Sequence, residues 1–280
     1  MTSLAAAVTA LFVPGNRPDR FAKAARAGAD LVIIDLEDAV APVHRAEALA
    51  HTIQALDPAT GLAAVVRITD VSSPTHHEEL RSLVRLTGTA GHGLLAVMVP
   101  KAANPADLTQ ISRAFTDAGS AVPVIALIES AAGVASALDL AGVDGVARLA
   151  FGALDLSLDL GIQPDSQVVA VAQAQLVIAS RAAGLPAPLD TPSVEIADVE
   201  AVSAAARASR ALGFGGKLCI HPAQLAPTRA AFRPTAAEAR WAEDILAAAG
   251  DDAAQVGGRM VDRPVLERAR LIHNLLQESS

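Results

Sequence analysis

The chain has 280 residues, 52% of them hydrophobic but only 2% aromatic, so its core must be built from Ala, Val, Leu and Ile rather than from rings. A chain this apolar buries enough surface to offset its ordering entropy, which excludes disorder. The formal charge of -8 and the absence of Tyr argue against nucleic acid as a partner. A single Cys219 excludes a disulfide framework and any cysteine-based metal site, as a reducing cytoplasm would permit.

No uninterrupted apolar run approaches the roughly 18 residues of a membrane span. At the start, Leu4 to Val13 has the apolar character of a secretory leader. It lacks a basic n-region and runs into the turn Pro14-Gly15-Asn16-Arg17-Pro18, so it reads as a first buried strand. Runs rich in Val, Ile and Leu then recur at intervals of roughly 30 residues, each followed by a polar or Gly/Pro break and an Ala-rich stretch with helical spacing. They are Ala7 to Val13, Leu31 to Leu36, Ala63 to Ile68, Leu94 to Val99, Pro123 to Ile128, Gly145 to Phe151, Ala187 to Leu189, and Lys217 to Ile220. The seventh is the weakest and is placed mainly by its neighbours.

Near-continuous apolar strands alternating with helices imply a parallel sheet covered on both faces. Eight such units fit an α/β fold of the (β/α)₈ TIM-barrel type, which typically needs about 250 residues. The competing open doubly wound sheet lacks its phosphate fingerprint G-x-G-x-x-G after the first strand. Asn104-Pro105 opens a helix, and Gly119, Gly184 and Gly213 follow helix ends. Residues 1–234 are thus predicted to form the barrel and residues 235–280 a helical extension, with helices at Ala236 to Ala249 and Arg263 to Gln277. Gly250-Asp251-Asp252 and Gly257-Gly258 separate them. Such an appendix suits a lid over the barrel mouth or a contact with a neighbouring subunit.

Ionisable residues gather at the carboxy ends of the apolar runs: Asp35-Leu36-Glu37-Asp38, Arg67, Lys101, Glu129, Asp155, Asp190 and His221. In a barrel these ends converge on one rim. Singly each has a bland reading. Glu129 or Asp155 could cap the following helix, Arg67 could be an ordinary ion-pair partner, Lys101 a solvated loop charge, and His221 before Pro222 a structural residue. Together they form a polar basin whose carboxylates repel unless a cation sits among them. Oxygen donors from Glu129 and Asp155, without Cys or paired His, suit Mg²⁺. Such an ion would chelate a 2-oxo acid and polarise its carbonyl, while Arg67 takes a second carboxylate or a developing enolate oxygen.

Seven motifs at these strand ends carry a family resemblance: Leu11-Phe12-Val13-Pro14-Gly15, Asp35-Leu36-Glu37-Asp38-Ala39-Val40, Val66-Arg67-Ile68, Val99-Pro100-Lys101, Ile128-Glu129-Ser130-Ala131-Ala132-Gly133, Phe151-Gly152-Ala153-Leu154-Asp155-Leu156, and Gly216 to Gln224. Over nearly its whole length the chain resembles the citrate lyase β-subunit-like proteins of the HpcH/HpaI aldolase superfamily, which also holds malyl-CoA and citramalyl-CoA lyases. The resemblance implies a Mg²⁺-dependent enzyme, a trimer or hexamer, that makes or breaks a carbon–carbon bond beside a thioester. By that likeness Glu129 and Asp155 would be the metal ligands, with Glu129 also at the substrate. Arg67 would contact substrate and stabilise the thioester enolate, and Glu37 and Asp38 would hold metal-bound water. The resemblance gives no assignable role to Lys101 or His221.

The segment Gly258 to Val265 resembles the lid of the malyl-CoA and citramalyl-CoA lyase branch, in which an aspartate matching Asp262 acts as acid/base in a neighbouring subunit. Its bland alternative is a cap on the last helix. Two departures are visible. Thr69 stands where relatives usually carry Asn, and Arg45 and Leu49 stand where Lys and Arg are common. The sequence thus points to a lyase acting on an acyl-CoA such as citramalyl-, malyl- or citryl-CoA. A citrate lyase β subunit served by a carrier protein, a thioesterase, and an inactive barrel scaffold stand as alternatives.

Overall fold

The computed structural model describes residues 3–248, 254–256 and 259–277. Eight parallel strands close into a barrel in sequence order: β1 (Thr9–Pro14), β2 (Leu31–Asp35), β3 (Ala64–Arg67), β4 (Leu94–Val99), β5 (Val124–Ile128), β6 (Val146–Phe151), β7 (Leu189–Asp190) and β8 (Gly216–Cys219). β8 pairs back onto β1, so the sheet has no free edge. The barrel expected from the sequence is therefore present, each apolar run supplying one strand. β7 has only two residues and is joined to β6 through the single pair Ala150 and Leu189, matching its weak signal.

Side chains alternate across each strand, so each run divides into an inward and an outward set. Ala10, Leu31, Ile33, Val65, Ala96, Met98, Ile125, Leu127, Ala150, Leu189 and Leu218 pack into one buried cluster filling the barrel. Ile34, Val66, Val97, Ala126 and Phe151, at the alternate positions, are equally buried. That double burial is why the runs read as continuously apolar.

The same alternation selects which polar residues meet. Two positions beyond inward Ile33, Val65 and Leu127 stand Asp35, Arg67 and Glu129, which extend the inward set to the carboxy rim. Toward the opposite end, Arg148 shares the parity of Ala150. Its Nη1 donates to the carbonyls of Leu4 (2.6 Å) and Ala7 (2.8 Å), and its Nε to that of Ala187 (2.9 Å). This 1% exposed guanidinium closes the barrel floor over the N-terminal segment, and burial pushes its pKa down to about 10.

The helix punctuation is also as read. Asn104 Oδ1 accepts the Ala106 N–H at 3.1 Å to open the helix Pro105–Asp117, and Gly213 takes φ 101° after the helix Val199–Leu212, a conformation that glycine adopts without a Cβ penalty.

The chain divides into two compact units, Met1–Arg229 and Ala230–Ser280. The second holds the helices Ala236–Ala248 and Arg263–Gln277 and an antiparallel strand pair, Ala254–Val256 with Arg259–Val261. It has its own small core of Ala242, Ile245, Val261, Ala269 and Ile272, and Arg268 stacks over Trp241 at 5.2 Å. The breaks read at Gly250-Asp251-Asp252 and Gly257-Gly258, with Ala249, lie outside the described residues. Among the described residues no helix is long and apolar enough to cross a membrane.

Candidate active site

A cavity of about 380 Å³ opens at the carboxy rim, lined by Phe12, Asp35, Asp38, Arg67, Glu129 and Asp155 among others. A larger hollow of about 710 Å³ lies beside the amino ends of β2 to β4, at Leu31, Ala63 and Leu95, and contains none of these residues. The chemistry is therefore at the smaller cavity.

Asp35 and Arg67 are register partners on β2 and β3. Arg67 Nε and Nη2 each donate to a different oxygen of Asp35 at 2.7 Å, a two-pronged charge-assisted pair. Arg67 Nη1 is the edge left over. It donates to Asp38 at 3.2 Å and lies 3.1 Å from Glu37 Oε2, without aligned hydrogen-bond geometry to the latter. The guanidinium also stands over Phe12, 4.8 Å from the ring centroid. Burial opposes its charge, but the three carboxylates more than offset that and raise its pKa.

Glu129 follows β5 and is 3% exposed. It is not a helix cap: Ser130 does that, its Oγ accepting the Gly133 N–H at 3.1 Å. Glu129 Oε1 accepts the Lys101 N–H at 2.9 Å. Its other oxygen lies against Gly152, where a Cβ would overlap the Glu129 carboxylate, so the glycine after β6 is what leaves room for it. Asp155, half-buried, is not a cap either. It stands in the first turn of the helix Ala153–Leu160, where the helix dipole favours a carboxylate.

Glu37 is 3% exposed and its Oε1 takes the Lys101 ammonium at 2.6 Å. Five carboxylates (Asp35, Glu37, Asp38, Glu129 and Asp155) thus share the rim with two cations, Arg67 and Lys101. Burial, aided by the charges of Glu37 and Asp155, raises the Glu129 pKa to about 8. Burial raises that of Glu37 to about 7 despite Arg67 and Lys101.

This is the electrostatic signature of a site short of positive charge, and its free donors are all oxygens. Among the described residues no group of three or more His, Cys, Asp or Glu is placed to hold a metal ion by itself. A carboxylate pair with further positions left open is what Mg²⁺ takes. Glu129, whose second oxygen is given room by Gly152, and Asp155 stand on the wall of the same cavity and supply such a pair.

One sequence expectation for the rim is corrected. Asp190 does not join the basin. With Leu189 facing inward, Asp190 faces outward, where Lys217 (3.2 Å), Gln173 (2.8 Å) and Ser209 satisfy it in a buried network. His221 caps the short turn Pro222–Gln224 through the Ala223 N–H, its structural reading. Thr69 is also removed from the cavity: its N–H and Oγ1 both donate to Glu79 Oε2, at 2.7 and 3.0 Å. Arg45 and Leu49 line a groove between two outer helices instead. Asp262 is exposed, and its Oδ1 accepts the Val265 N–H at 3.2 Å at the start of the last helix. Cys219 is buried, with its thiol pushed up to about 11, and is inert core.

Sequence reasoning did not find the Asp35 clamp, the Gly152 cradle or the Lys101 grip. The clamp was open to discovery, since Asp35 and Arg67 each end an inward parity.

The profile of the HpcH/HpaI aldolase/citrate lyase family matches residues 9–222, which takes in every strand of the barrel and every rim residue named above. The chain belongs to this family. As a member it is a carbon–carbon lyase by class. It is 37% identical over 277 residues to a citrate lyase subunit beta-like protein of Deinococcus radiodurans, covering 94% of each chain. It is 32% identical over 299 residues to an L-malyl-CoA/beta-methylmalyl-CoA lyase of Cereibacter sphaeroides, covering 94% of this chain and 92% of the relative. The crystal structure of CitE from Mycobacterium tuberculosis in complex with magnesium, acetoacetate and coenzyme A superposes with a TM-score of 0.84 at 34% identity, over 98% of this chain and 99% of the other.

Proposed function

We propose that this chain is a Mg²⁺-dependent lyase that cleaves, or forms, a 3-hydroxyacyl-CoA of the citramalyl-, malyl- or citryl-CoA kind, yielding acetyl-CoA and a 2-oxo acid. The observation that carries the reading is Glu129, a buried carboxylate crowded by Glu37 and Asp155 and given room by Gly152. Relatives of this chain bear names of CoA-ester lyases, and a similar structure holds magnesium with coenzyme A.

Glu129 and Asp155 would hold the ion. When bound, Mg²⁺ supplies Lewis-acid polarisation of a substrate oxygen and lowers the pKa of a hydroxyl. Glu37 and Asp38 would accept hydrogen bonds from water around it. Arg67, kept in orientation by Asp35, offers Nη1 to the rim, where positive charge stabilises a thioester enolate oxygen as a base takes the substrate hydroxyl proton and the carbon–carbon bond breaks. Asp262, supplied by a second copy of the chain in a homotrimer or hexamer, protonates the enolate carbon as its acid and deprotonates acetyl-CoA in the reverse direction. The segment 235–280 then acts as lid and subunit contact.

Product analysis of the purified protein with Mg²⁺ and malyl-, citramalyl- and citryl-CoA tests this reading. Glyoxylate, pyruvate or oxaloacetate together with acetyl-CoA is the expected result. Free CoA with intact hydroxy acid would identify a thioesterase instead, and silence on every CoA ester would favour a carrier-bound substrate.

A further inference from the structure

Lys101 is the one non-glycine residue with positive φ among the described residues, at 48°. A lysine in this conformation carries backbone strain that a glycine would not. The strained residue is also the one whose two ends grip two different carboxylates. Its N–H meets Glu129 Oε1 at 2.9 Å, and its ammonium meets Glu37 Oε1 at 2.6 Å. The turn after β4 thus aims the backbone at the β5 acid while the side chain crosses to the acid after β2.

Glu37 and Asp155 are the two acids whose charges act on the Glu129 carboxylate. Glu37 Oε2 has no aligned hydrogen bond, and Lys101 and Arg67 are the cations that face Glu37. A third carboxylate on a small divalent ion tightens binding but fills a position that substrate oxygens need.

We propose that Lys101 is a positioning residue whose ammonium ties Glu37 back as an ion-pair partner, so that Glu37 does not ligate the ion and a coordination position stays open for substrate. This rests on Glu129 and Asp155 being the metal pair.

Mn²⁺ titration tests it, with free ion read by electron paramagnetic resonance and ion-bound water by proton relaxation. Lys101→Gly keeps the backbone in a conformation glycine favours, so the fold and the N–H on Glu129 survive while the ammonium is lost. Relative to the parent protein, Lys101→Gly is expected to bind Mn²⁺ about tenfold more tightly and to show lower relaxation enhancement, because Glu37 replaces a water. Lys101→Gly/Glu37→Gln returns both values toward the parent, and Lys101→Arg, which keeps a cation, stays near it. Unchanged affinity and relaxation in Lys101→Gly overturn the proposal. So does tightening that persists undiminished in the Glu37→Gln background, which would be loss of charge alone. If Glu129→Gln in the parent protein binds Mn²⁺ as well as the parent, the metal pair itself is wrong, a failure separate from the first two.

Discussion

Asp35 and Arg67 stand side by side across β2 and β3 and are locked by two parallel hydrogen bonds of 2.7 Å, each with less than a tenth of its side chain exposed. This pair determines which edge of the guanidinium the rim receives. Removing one partner of a buried ion pair leaves an uncompensated charge. Asp35→Asn is therefore expected to lose about 3 kcal/mol in urea unfolding and to lower turnover, because Arg67 is no longer aimed. Unaltered stability and turnover would show the clamp to be incidental.

The raised carboxyls make metal-free stability depend on pH in a definite direction. With Glu37 at about 7 and Glu129 at about 8, the folded chain retains protons that the unfolded chain has already released. Stability from these groups is full below the ordinary carboxylate range and is lost as the pH rises toward about 8. Metal displaces those protons, so Mg²⁺ affinity rises across the same window. Thermal melts in EDTA should fall between about pH 5.5 and 8.5, and the Mg²⁺-induced rise in Tm should be larger at the upper end. A metal effect that does not change with pH would contradict the shifts.

Gly152 is needed for space at the Glu129 carboxylate. Gly152→Ala is expected to displace that group, weaken Mg²⁺ binding about tenfold or more, and cost about 1–3 kcal/mol from overpacking. Calorimetric titration of Mg²⁺ into the variant checks this.

At the barrel floor, Arg148→Leu would leave the carbonyls of Leu4, Ala7 and Ala187 without their donor. A loss of about 3 kcal/mol or more is expected by denaturant unfolding, with turnover by the folded fraction unchanged, since Arg148 does not line the site cavity.

Asp262 separates a structural role from a chemical one. Asn caps a helix about as well as Asp, so Asp262→Asn should change stability by no more than about 0.5 kcal/mol. Turnover should fall about 100-fold or more if the carboxylate is the acid/base group. Full turnover would leave Asp262 as a cap only.

The barrel was legible because doubly buried strands write their burial directly into runs of Val, Ile and Leu, and the carboxy rim followed from the topology. Glu129, Asp155, Arg67 and Glu37 were found at that rim by type and position. Asp190 was misplaced for want of parity: β7 is two residues long, and only the inward packing of Leu189 shows that its neighbour faces the helices. The left-handed turn at Lys101 and the closeness of Gly152 to Glu129 depend on how separate strand ends approach in space. A linear pattern does not record that approach. Arg148 was hidden for a related reason, since its partners are backbone carbonyls of Leu4, Ala7 and Ala187, which carry no side-chain signal.

The most direct test of the metal pair as the centre of lyase chemistry is 2-oxo acid release from the preferred acyl-CoA, compared between the parent protein and Glu129→Gln at saturating Mg²⁺. Release by the parent that EDTA abolishes, with a loss of about a thousandfold or more in the variant, is the expected result. Undiminished release by Glu129→Gln, or by the parent in EDTA, would contradict it.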